Sequence, residues 1–451
     1  MNDLLEKANK LGIKIPAITA EEINEQIKPV LKKMEEAGVM LDCEALNSLD
    51  VKLSDKLKVI EAEIYEKAGR ELNIGSPIQM ADLLFNELKL PSEGLRRTKS
   101  GVSTAAQELK KIEDCHPIIP LMLEQRELSK LISTYLKPLP LLVDENSRLH
   151  TTYGLETSTG RLTSSEPNLQ NIPIRGTFGG EIRAAFVATE GMKLIAADYS
   201  QIELRVVACM AKDTAMIEAF EQGEDIHSRT AAEIFNVKQK DVTPDQRRKA
   251  KAVNFGIVYG QTPYGLSQAL NIPVDEAAKY IKTYFEVHKG IKNYINEMIE
   301  KAHSDGYVET IFGTRRYLPN IASHIRYISE AEERMAINMP VQGTAAEILK
   351  LAMIKLDREL SSLNTKYEAR NTKQIQNSNL KNSEIVSGFD IRVSDLAHML
   401  LTVHDEIVVE VPSSEAKQVA QIVKDAMEGV VKLCVPIEVS LGIGDNWAEA
   451  K

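Results

Sequence analysis

The amino-terminal part of the chain has the apolar periodicity of amphipathic helices. Thr19 and Glu22 have the spacing of a capping box, and the apolar stripe that follows them ends at Gly38. A longer stripe repeats at intervals of three and four residues from Leu46 to Ile64, which predicts a long helix with a charged outer face. This part of the chain is therefore expected to be mostly helical.

Two apolar stretches farther along the chain are expected to form strands, and both lead to carboxylates. The run Leu194–Ala197 ends at Asp198, where a helical pattern begins. The stretch Met399–Val411 has two apolar runs rich in β-branched residues on either side of His404-Asp405-Glu406, which predicts a hairpin with two acids at its tip. We expect the two tips to meet and to hold metal ions. Taken alone, Asp198 is also explained as the N-cap of the following helix.

Two cations and two rings recur every fourth residue in a third stretch, at Arg247, Lys251, Phe255 and Tyr259. This spacing places them along one slowly drifting helix face. Guanidinium and ammonium groups suit a triphosphate, and rings suit a base and a sugar. The alternative is an amphipathic helix with solvated cations and core aromatics. Glycines follow both rings and weaken that alternative, because glycine costs about 1 kcal/mol in a helix interior and indicates close approach or motion.

Residues 150–175 form a polar segment rich in turn-forming residues. It carries Arg161, Asn168, Gln170 and Arg175. An ordered loop held by its own side-chain hydrogen bonds would account for its Asn, Ser and Thr residues. Such a loop accounts less well for two arginines and a glutamine.

A long helical pattern precedes the predicted hairpin. It covers Ser329–Leu360, and we expect it to be broken near Pro340 and Gly343. Between Leu356 and Met399 lie 42 residues, whereas such connections usually take about two to six. The segment is polar and rich in asparagine, so we expect a mobile insertion.

Length and composition indicate a globular protein of more than one domain. The chain has 451 residues, 43% of them hydrophobic and 27% charged, which predicts two or three domains. No apolar run approaches the length of a membrane span of about 18 residues, and no signal-peptide pattern is present, so a cytoplasmic protein is expected. The net charge of -10 argues mildly against a nucleic-acid partner.

The cysteines and the absent motifs exclude several classes of protein. Cys43, Cys115, Cys209 and Cys434 form no CxxC pair, so neither a zinc site nor a disulfide framework is expected, and reduced thiols are favoured. The sequence has no GxxxxGK[ST] phosphate loop and no HExxH pair. ATPase, GTPase and zinc hydrolase functions therefore have no support.

Five segments, in order along the chain, resemble motifs of the family A DNA polymerases, the bacterial DNA polymerase I class. The matches are motif A at Asp198–Arg205, motif B at Arg247–Gly260, motif C at Val403–Glu406, a minor-groove segment at Thr159–Pro173, and the segment Val341–Ala346. Chance does not account for five motifs in the family's order.

The resemblance implies an α+β fold of the right-hand polymerase type, with a mostly helical thumb and fingers and an antiparallel-sheet palm. The expected domains are a thumb over 1–145, the first part of the palm with motif A over 146–210, fingers with motif B over 211–325, and the second part of the palm with motif C over 326–451, where the polar insertion falls at about 360–395.

The resemblance also implies a function. The expected enzyme is a DNA-directed DNA polymerase, a nucleotidyltransferase of DNA replication and repair that adds deoxynucleotides to a primer 3′ end by two-metal phosphoryl transfer. Its partners are primer-template DNA and deoxynucleoside triphosphates, its cofactors are two Mg²⁺ ions with Mn²⁺ as a substitute, and a monomer without a membrane is expected. Few residues precede the first thumb-like helix, so proofreading and 5′-nuclease activity are expected to be absent from this chain.

Site residues follow from the motifs, position by position. Asp198 and Asp405 are the metal ligands together with the carbonyl of Tyr199. The catalytic set is Asp198, Asp405, Glu406 in a supporting position, and Lys251 as proton donor to the leaving group. The nucleotide-binding set is Arg247, Lys251, Phe255, Tyr259, His227, Gln201 and Glu203, the last resembling a steric gate against ribose. The DNA-binding set is Arg161, Asn168, Gln170, Arg175, Arg334, Asn338, Gln342 and His404.

Two other functions compete with this one. A single-subunit RNA polymerase shares the palm carboxylates and the fingers helix, but Glu203 and Tyr259 count against it. A catalytically silent DNA-binding or scaffold protein is a second alternative. The intact Asp198, Asp405 and Arg247 speak against it.

Overall fold

The computed structural model describes residues 1–99, 101–155, 157–173, 178–377 and 397–451. The chain forms two compact units. The first comprises Met1–Val39, His150–Asn171 and Val187–Lys451, and the second comprises Met40–Leu149 and Ile172–Phe186. Arg175, a predicted DNA-binding residue, lies outside the described residues.

The α-helices are numbered in chain order. They are α1 Asn2–Lys10, α2 Ala20–Ala37, α3 Cys43–Ala68, α4 Pro77–Ala81, α5 Ala106–Lys110, α6 Ile118–Leu131, α7 Gly179–Ala184, α8 Ile202–Met210, α9 Thr214–Glu221, α10 Ile226–Phe235, α11 Pro244–Val258, α12 Pro263–Leu270, α13 Val274–Val287, α14 Lys289–Asp305, α15 Arg326–Asn377 and α16 Ala416–Glu428.

The strands are shorter than the helices. They are β1 Val39–Leu41, β2 Arg97–Thr98, β3 Gly101–Val102, β4 Arg148–Leu149, β5 Thr152–Gly154, β6 Thr163–Ser165, β7 Phe186–Val187, β8 Met192–Tyr199, β9 Tyr307–Glu309, β10 Arg315–Tyr317, β11 His398–Val403, β12 Glu406–Pro412 and β13 Val439–Gly444.

Helix α3 packs against α6 in the second unit. Asp42 caps α3 by accepting a hydrogen bond from the backbone N–H of Ala45 at 2.9 Å. Both ends of the predicted apolar stripe, Leu46 and Ile64, are fully buried along this helix. The prediction of a long amphipathic helix is therefore confirmed.

A four-stranded antiparallel sheet in the order β11-β12-β8-β13 forms the scaffold of the first unit. Strands β11 and β12 form the predicted hairpin, with His404 and Asp405 in its turn. Strand β12 pairs with β8 so that Glu406 lies opposite Asp198. Helices α2, α15 and α16 pack on this sheet, and the capping box that begins α2 at Thr19 is present as predicted.

Helix α15 is continuous where a break was expected. It runs from Arg326 through Pro340 and Gly343 to Asn377, so the predicted break is wrong. Proline removes one helical hydrogen bond, but the helix on either side of it is buried, and packing outweighs that local loss. A Cβ on Gly343 would lie 2.5 Å from Cγ2 of Thr310, so this glycine permits close packing.

The predicted mobile insertion at about 360–395 is only partly described. Its first part, through Asn377, continues helix α15. Residues 378–396 lie outside the described residues.

Glu347 is a buried carboxylate on α15. Its Oε1 accepts hydrogen bonds from the hydroxyls of Thr310 at 3.0 Å and Thr314 at 2.6 Å. Burial raises the pKa of Glu347 to about 7, although both hydroxyls and the nearby Lys350 act in the opposite direction.

Replacing Glu347 by glutamine is expected to make the free energy of unfolding less dependent on pH. The pKa in the folded protein is raised, so the stability that this carboxyl contributes is complete below its ordinary pKa of 4.5 and is lost as the pH rises through about 7. Glutamine retains the oxygen that accepts both hydroxyls and has no charge to bury. Urea unfolding at pH 5 and pH 8 should show Glu347→Gln gaining about 1–3 kcal/mol relative to the unsubstituted protein at the higher pH.

The more exposed Glu359 on the same helix supplies the control, because Glu359→Gln changes the same charge without relieving burial. If Glu347→Gln and the unsubstituted protein lost stability equally between the two pH values, Glu347 would not be the group that titrates.

The cysteines differ from expectation. The sulfur atoms of Cys209 and Cys434 are 2.04 Å apart and form a disulfide, whereas Cys43 and Cys115 are free. The prediction of reduced thiols is therefore wrong for the first pair. The two residues are 225 positions apart, and spacing alone reveals nothing of such a pairing.

The length and apolar character of the helices show whether any of them could span a membrane. Within the described ranges, none of them combines the length and the apolar character that crossing a bilayer requires.

Candidate active site

The paired strands place Asp198 and Asp405 next to each other. Asp198 lies near the end of β8, and the backbone N–H of the next residue, Tyr199, donates a hydrogen bond to the carbonyl oxygen of Asp405 at 3.2 Å. Helix α8 begins three residues after Tyr199, and its N-cap is Gln201, which has a positive φ of 55°. The alternative that Asp198 merely caps a helix is therefore wrong.

Asp405 lies in a concentration of negative charge. Burial raises its pKa to about 7, the carboxylates of Glu203 and Asp198 act in the same direction, and Arg161 acts against them. Grouped carboxylates that repel one another are stabilised by a cation, and oxygen ligands are those that Mg²⁺ prefers. Asp198 and Asp405 thus fit a divalent metal ion chemically.

Glu406 faces a different environment. Its side chain is 3% exposed, and its Oε1 accepts a hydrogen bond from Nε1 of Trp447 at 2.5 Å. The ammonium group of Lys451 forms an ion pair with Oε2 and lies 3.9 Å from Oδ2 of Asp198. In the part of the chain that the structure describes, no three His, Cys, Asp or Glu residues form a group that could hold a metal ion. No sequence pattern indicated the roles of Trp447 and Lys451.

Helix α11 displays the predicted row of cations and rings. A capping box between Thr243 and Gln246 begins the helix, and Tyr259 is its C-cap. The rings of Phe255 and Tyr259 are stacked with centroids 6.0 Å apart, and the ammonium of Lys251 lies 5.9 Å from the Phe255 ring. Both rings are only partly buried, so they are not simply core residues.

Arg247 is held by a carboxylate that the motifs did not single out. Its Nε and Nη2 donate to the two oxygens of Asp225 at 2.7 and 2.9 Å. Burial acts to raise the pKa of Asp225, but hydrogen bonds from Arg247 and Ser228 outweigh it and lower the pKa to about 2. Asp225 is also the N-cap of α10, so one carboxylate connects α10 to α11.

His227 lies in the first turn of α10 and is buried. The side-chain amide of Asn254 lies 3.1 Å from its Nδ1. An amide N–H that donates to Nδ1 leaves the proton on Nε2, and among the described residues nothing accepts from Nε2. Burial lowers the pKa of His227 to about 4, Asp225 opposes this, and Lys251 and Arg247 lower it further. The ring is therefore a neutral donor near pH 7, with its centroid 5.8 Å from that of Phe255.

Three predicted residues meet around a fourth, Glu203, which is 4% exposed. The hydroxyl of Tyr259 donates to its Oε2 at 2.6 Å, and Nη2 of Arg161 donates to its Oε1. Burial and the carboxylate of Glu203 both raise the pKa of Tyr259, to which the side chain of Gln342 is also hydrogen-bonded. The proposed sugar gate and two proposed minor-groove residues thus form one network.

Gly260 shows why motif B ends in glycine. Its φ is 66°, and a Cβ would lie 3.0 Å from Cγ of Arg334 and 3.2 Å from Cδ1 of Ile337 on α15. Close approach, one of the two reasons expected for the glycines, applies here. Asn338 lies on the same helix, and its Oδ1 is buried without a hydrogen-bond partner in the described part of the chain.

The remaining predicted DNA-binding residues have varied surroundings. Oδ1 of the exposed Asn168 accepts from the backbone N–H of Gln170, whose Nε2 donates to the carbonyl oxygens of Leu162 at 3.2 Å and Thr402 at 3.5 Å. His404 is exposed at the hairpin turn, with a positive φ of 56°. The amide of Gln170 thus helps to hold its own loop against β11.

The fold is of the right-hand polymerase class. The solved structure "POL domain of Pol1 from M. smegmatis complex with DNA primer-template and dNTP" matches with a TM-score of 0.85 and 37% identity, covering 95% of this chain and 70% of that one. A family model described as DNA polymerase family A matches residues 43–449. The chain therefore belongs to DNA polymerase family A.

Curated relatives agree with this assignment. The chain is 44% identical over 433 residues to DNA polymerase I of Deinococcus radiodurans, covering 96% of this chain and 42% of the relative. It is 42% identical over 432 residues to the thermostable DNA polymerase I of Thermus aquaticus, covering 95% of this chain and 48% of the relative. The chain thus spans less than half the length of these relatives.

Proposed function

We propose that this chain is a template-directed DNA polymerase that extends a primer 3′ end with deoxynucleotides. The observation that carries the proposal is the pairing of β8 with β12, which brings Asp198 beside Asp405. The carboxylate of Glu203 raises the pKa of Asp405 and accepts a hydrogen bond from Tyr259, the C-cap of α11. Glu203 therefore links the aspartates to the carboxyl end of α11. The M. smegmatis relative was solved with DNA primer-template and dNTP, which supports the same substrates here.

The two aspartates suit a pair of divalent ions, with Mg²⁺ favoured and Mn²⁺ as a substitute. Asp198 and Asp405 would hold them together with the carbonyl oxygen of Tyr199. The bound ions supply activation of the primer hydroxyl and neutralisation of the phosphate charge. Glu406 supports Asp198 and Asp405 from the side, since both of its oxygens are already engaged.

The face of α11 would bind the incoming nucleotide. Arg247 and Lys251 bind the triphosphate, and the neutral His227 donates from Nε2. Lys251 also supplies a proton to the pyrophosphate leaving group. Phe255 packs on the sugar, and Tyr259 covers the new base pair.

The network around Glu203 would exclude ribose and check the primer terminus. The buried carboxylate of Glu203, held by Tyr259, leaves no room for a 2′-hydroxyl, and Gln201 lies at the start of the same helix. Arg161 and Gln342 donate to purine N3 and pyrimidine O2, which are acceptors in every correct pair. Arg334, Asn338, Asn168, Gln170 and His404 extend this DNA surface, mainly through phosphate and sugar contacts.

Replacing Glu203 by alanine is expected to admit ribonucleotides. Its side chain fills the space beside Tyr259, and removing a group of that size changes discrimination by about 1–3 kcal/mol, or about ten- to a hundredfold. The measurement is the ratio of kcat/KM for a deoxynucleotide to that for the matching ribonucleotide.

Tyr259→Phe is the matched control, because it removes the hydrogen bond to Glu203 and keeps the ring. We expect it to change sugar discrimination less than Glu203→Ala does. If Glu203→Ala left the ratio of deoxynucleotide to ribonucleotide kcat/KM unaltered, Glu203 would not be the residue that excludes ribose.

Primer extension tests the proposed function directly. The chain, Mg²⁺ and a primer-template are supplied with either four deoxynucleotides or four ribonucleotides. Extension with deoxynucleotides alone supports a DNA polymerase. Extension with ribonucleotides alone favours the RNA polymerase, and binding without extension favours the silent scaffold.

Three further expectations stay predictions. They are the boundaries of thumb, palm and fingers at about residues 145, 210 and 325, the monomeric state, and the absence of proofreading and 5′-nuclease activity from these residues.

A further inference from the structure

Glu406 is a buried carboxylate whose two oxygens are held by two residues near the end of the sequence, Trp447 and Lys451. We propose that Lys451 is a positioning residue that holds Glu406 away from the metal ions and limits the affinity of Asp198 and Asp405 for them. This inference rests on the proposed function, because it requires a metal site at the two aspartates.

The segment that follows β13 and carries Lys451 packs closely on the four-stranded sheet. Trp447 and Ala450 are fully buried. A Cβ on Gly442 would collide with the carbonyl oxygen of Ala450, and one on Gly444 would lie 2.5 Å from Cβ of Glu449. The two glycines of β13 therefore let the following residues pack directly over that strand.

Backbone hydrogen bonds hold the same segment in place. The N–H of Ala188 donates to the carbonyl oxygen of Asp445 at 2.8 Å, and the N–H of Ala450 donates to that of Asn446 at 3.1 Å. Lys451 therefore extends from an anchored backbone toward Glu406 at the start of β12. Its side chain is 33% exposed, whereas that of Glu406 is 3% exposed.

The position of the ammonium group gives it two effects. It forms an ion pair with Oε2 of Glu406, and it lies 3.9 Å from Oδ2 of Asp198, whose side chain is 43% exposed. Asp198, Asp405 and Glu406 supply three negative charges when ionised, and Lys451 offsets one of them. With Glu406 occupied by Lys451 and Trp447, the two aspartates remain the carboxylates available to metal.

Removing the ammonium group should strengthen metal binding. In Lys451→Met, Glu406 loses its ion pair, the local negative charge rises by one, and Oε2 becomes available as a further ligand. A unit charge about 4 Å away acts strongly on a partly buried cation, so we expect about three- to tenfold tighter Mn²⁺ binding. Lys451→Arg keeps the charge and should bind Mn²⁺ as the unsubstituted protein does.

The experiment measures Mn²⁺ binding itself. Free Mn²⁺ is followed by electron paramagnetic resonance during titration of the full chain bound to a primer-template whose primer lacks a 3′-hydroxyl. Asp198→Ala/Asp405→Ala defines the site. If this double variant bound Mn²⁺ as tightly as the unsubstituted protein, the proposed metal site would fail, and the inference would fall with it.

Lys193→Met is the matched control. Lys193 lies on β8 and forms an ion pair with Asp445 at 2.5 Å. It is opposite Val411 of β12, near the end of β8 that is far from Asp198. Its replacement removes the same charge from the same strand as Asp198 and should leave Mn²⁺ affinity unchanged. Equal tightening in both lysine variants would overturn the inference, since a general charge effect would then suffice.

The Glu406→Gln background separates positioning from structural support. There, Lys451→Met should tighten Mn²⁺ binding less than it does with Glu406 present, because the carboxylate that it releases is gone and only the ammonium's effect on Asp198 remains. An undiminished effect in that background, or unchanged or weaker Mn²⁺ binding by Lys451→Met alone, contradicts the proposal. Thermal unfolding of each variant shows whether any loss of binding comes from loss of the fold.

Discussion

Primer extension by Asp405→Ala is expected to fall by about a thousandfold or more, because several kcal/mol of metal-based stabilisation of the transition state are lost. Asp405 lies in the turn that joins β11 to β12, and its backbone accepts from Tyr199 next to Asp198. Asp198→Ala should have a similar effect, since each aspartate alone offers too few ligands. The measurement is single-turnover extension at saturating deoxynucleotide and Mg²⁺.

Binding of primer-template should persist in both variants, because most of its affinity comes from phosphate contacts. Asp445→Ala is the control, since it removes an exposed carboxylate just beyond β13 and should extend primers normally. Extension by Asp405→Ala at the unsubstituted rate would contradict the metal assignment. A joint loss of extension and of DNA binding would indicate damage to the fold instead.

Arg247→Ala is expected to weaken the use of nucleotides by about ten- to a hundredfold in kcat/KM, mainly through KM. A charge-assisted hydrogen bond contributes about 1.5–3 kcal/mol. Arg247 donates two such bonds to Asp225. In the proposed function, its guanidinium binds the triphosphate of the incoming nucleotide. The variant also leaves Asp225 without its cationic partner, and that negative charge then opposes an anionic substrate.

Arg248→Ala provides the matched control on the same helix. Arg248 follows Arg247 directly and pairs with Asp245 at 2.6 Å in an exposed position. Steady-state kinetics with a single templated nucleotide should show normal KM for Arg248→Ala. If both arginine variants raised KM equally, a diffuse charge effect would explain the data, and Arg247 would have no specific phosphate role.

Local patterns predicted the elements that carry the candidate site. The recurrence of Arg247, Lys251, Phe255 and Tyr259 every fourth residue predicted one face, and α11 displays it. The hairpin around Asp405 followed from two apolar runs rich in β-branched residues, which encode strands within a few residues. Caps at Thr19 and similar positions are also local, so the sequence alone is sufficient for them.

One expectation and one alternative interpretation failed where tertiary contacts outweighed a local preference. Pro340 and Gly343 predicted a break, but buried neighbours keep α15 continuous. Asp198 suited an N-cap, but pairing of β8 with β12 extended the strand beyond it and left Gln201 as the cap. In both cases burial and strand pairing contribute more free energy than the propensity of one residue.

The sequence by itself determined the family motifs, the helical face of α11 and the acidic hairpin, because each depends on residues within a few helical turns or one turn of chain. Only the tertiary structure decided which side chains meet. Glu406 contacts Trp447, which is 41 positions away in the sequence, and Lys451, which is 45 positions away. Arg161 contacts Glu203, which is 42 positions away. Such contacts depend on strand register and helix packing, which no local spacing encodes.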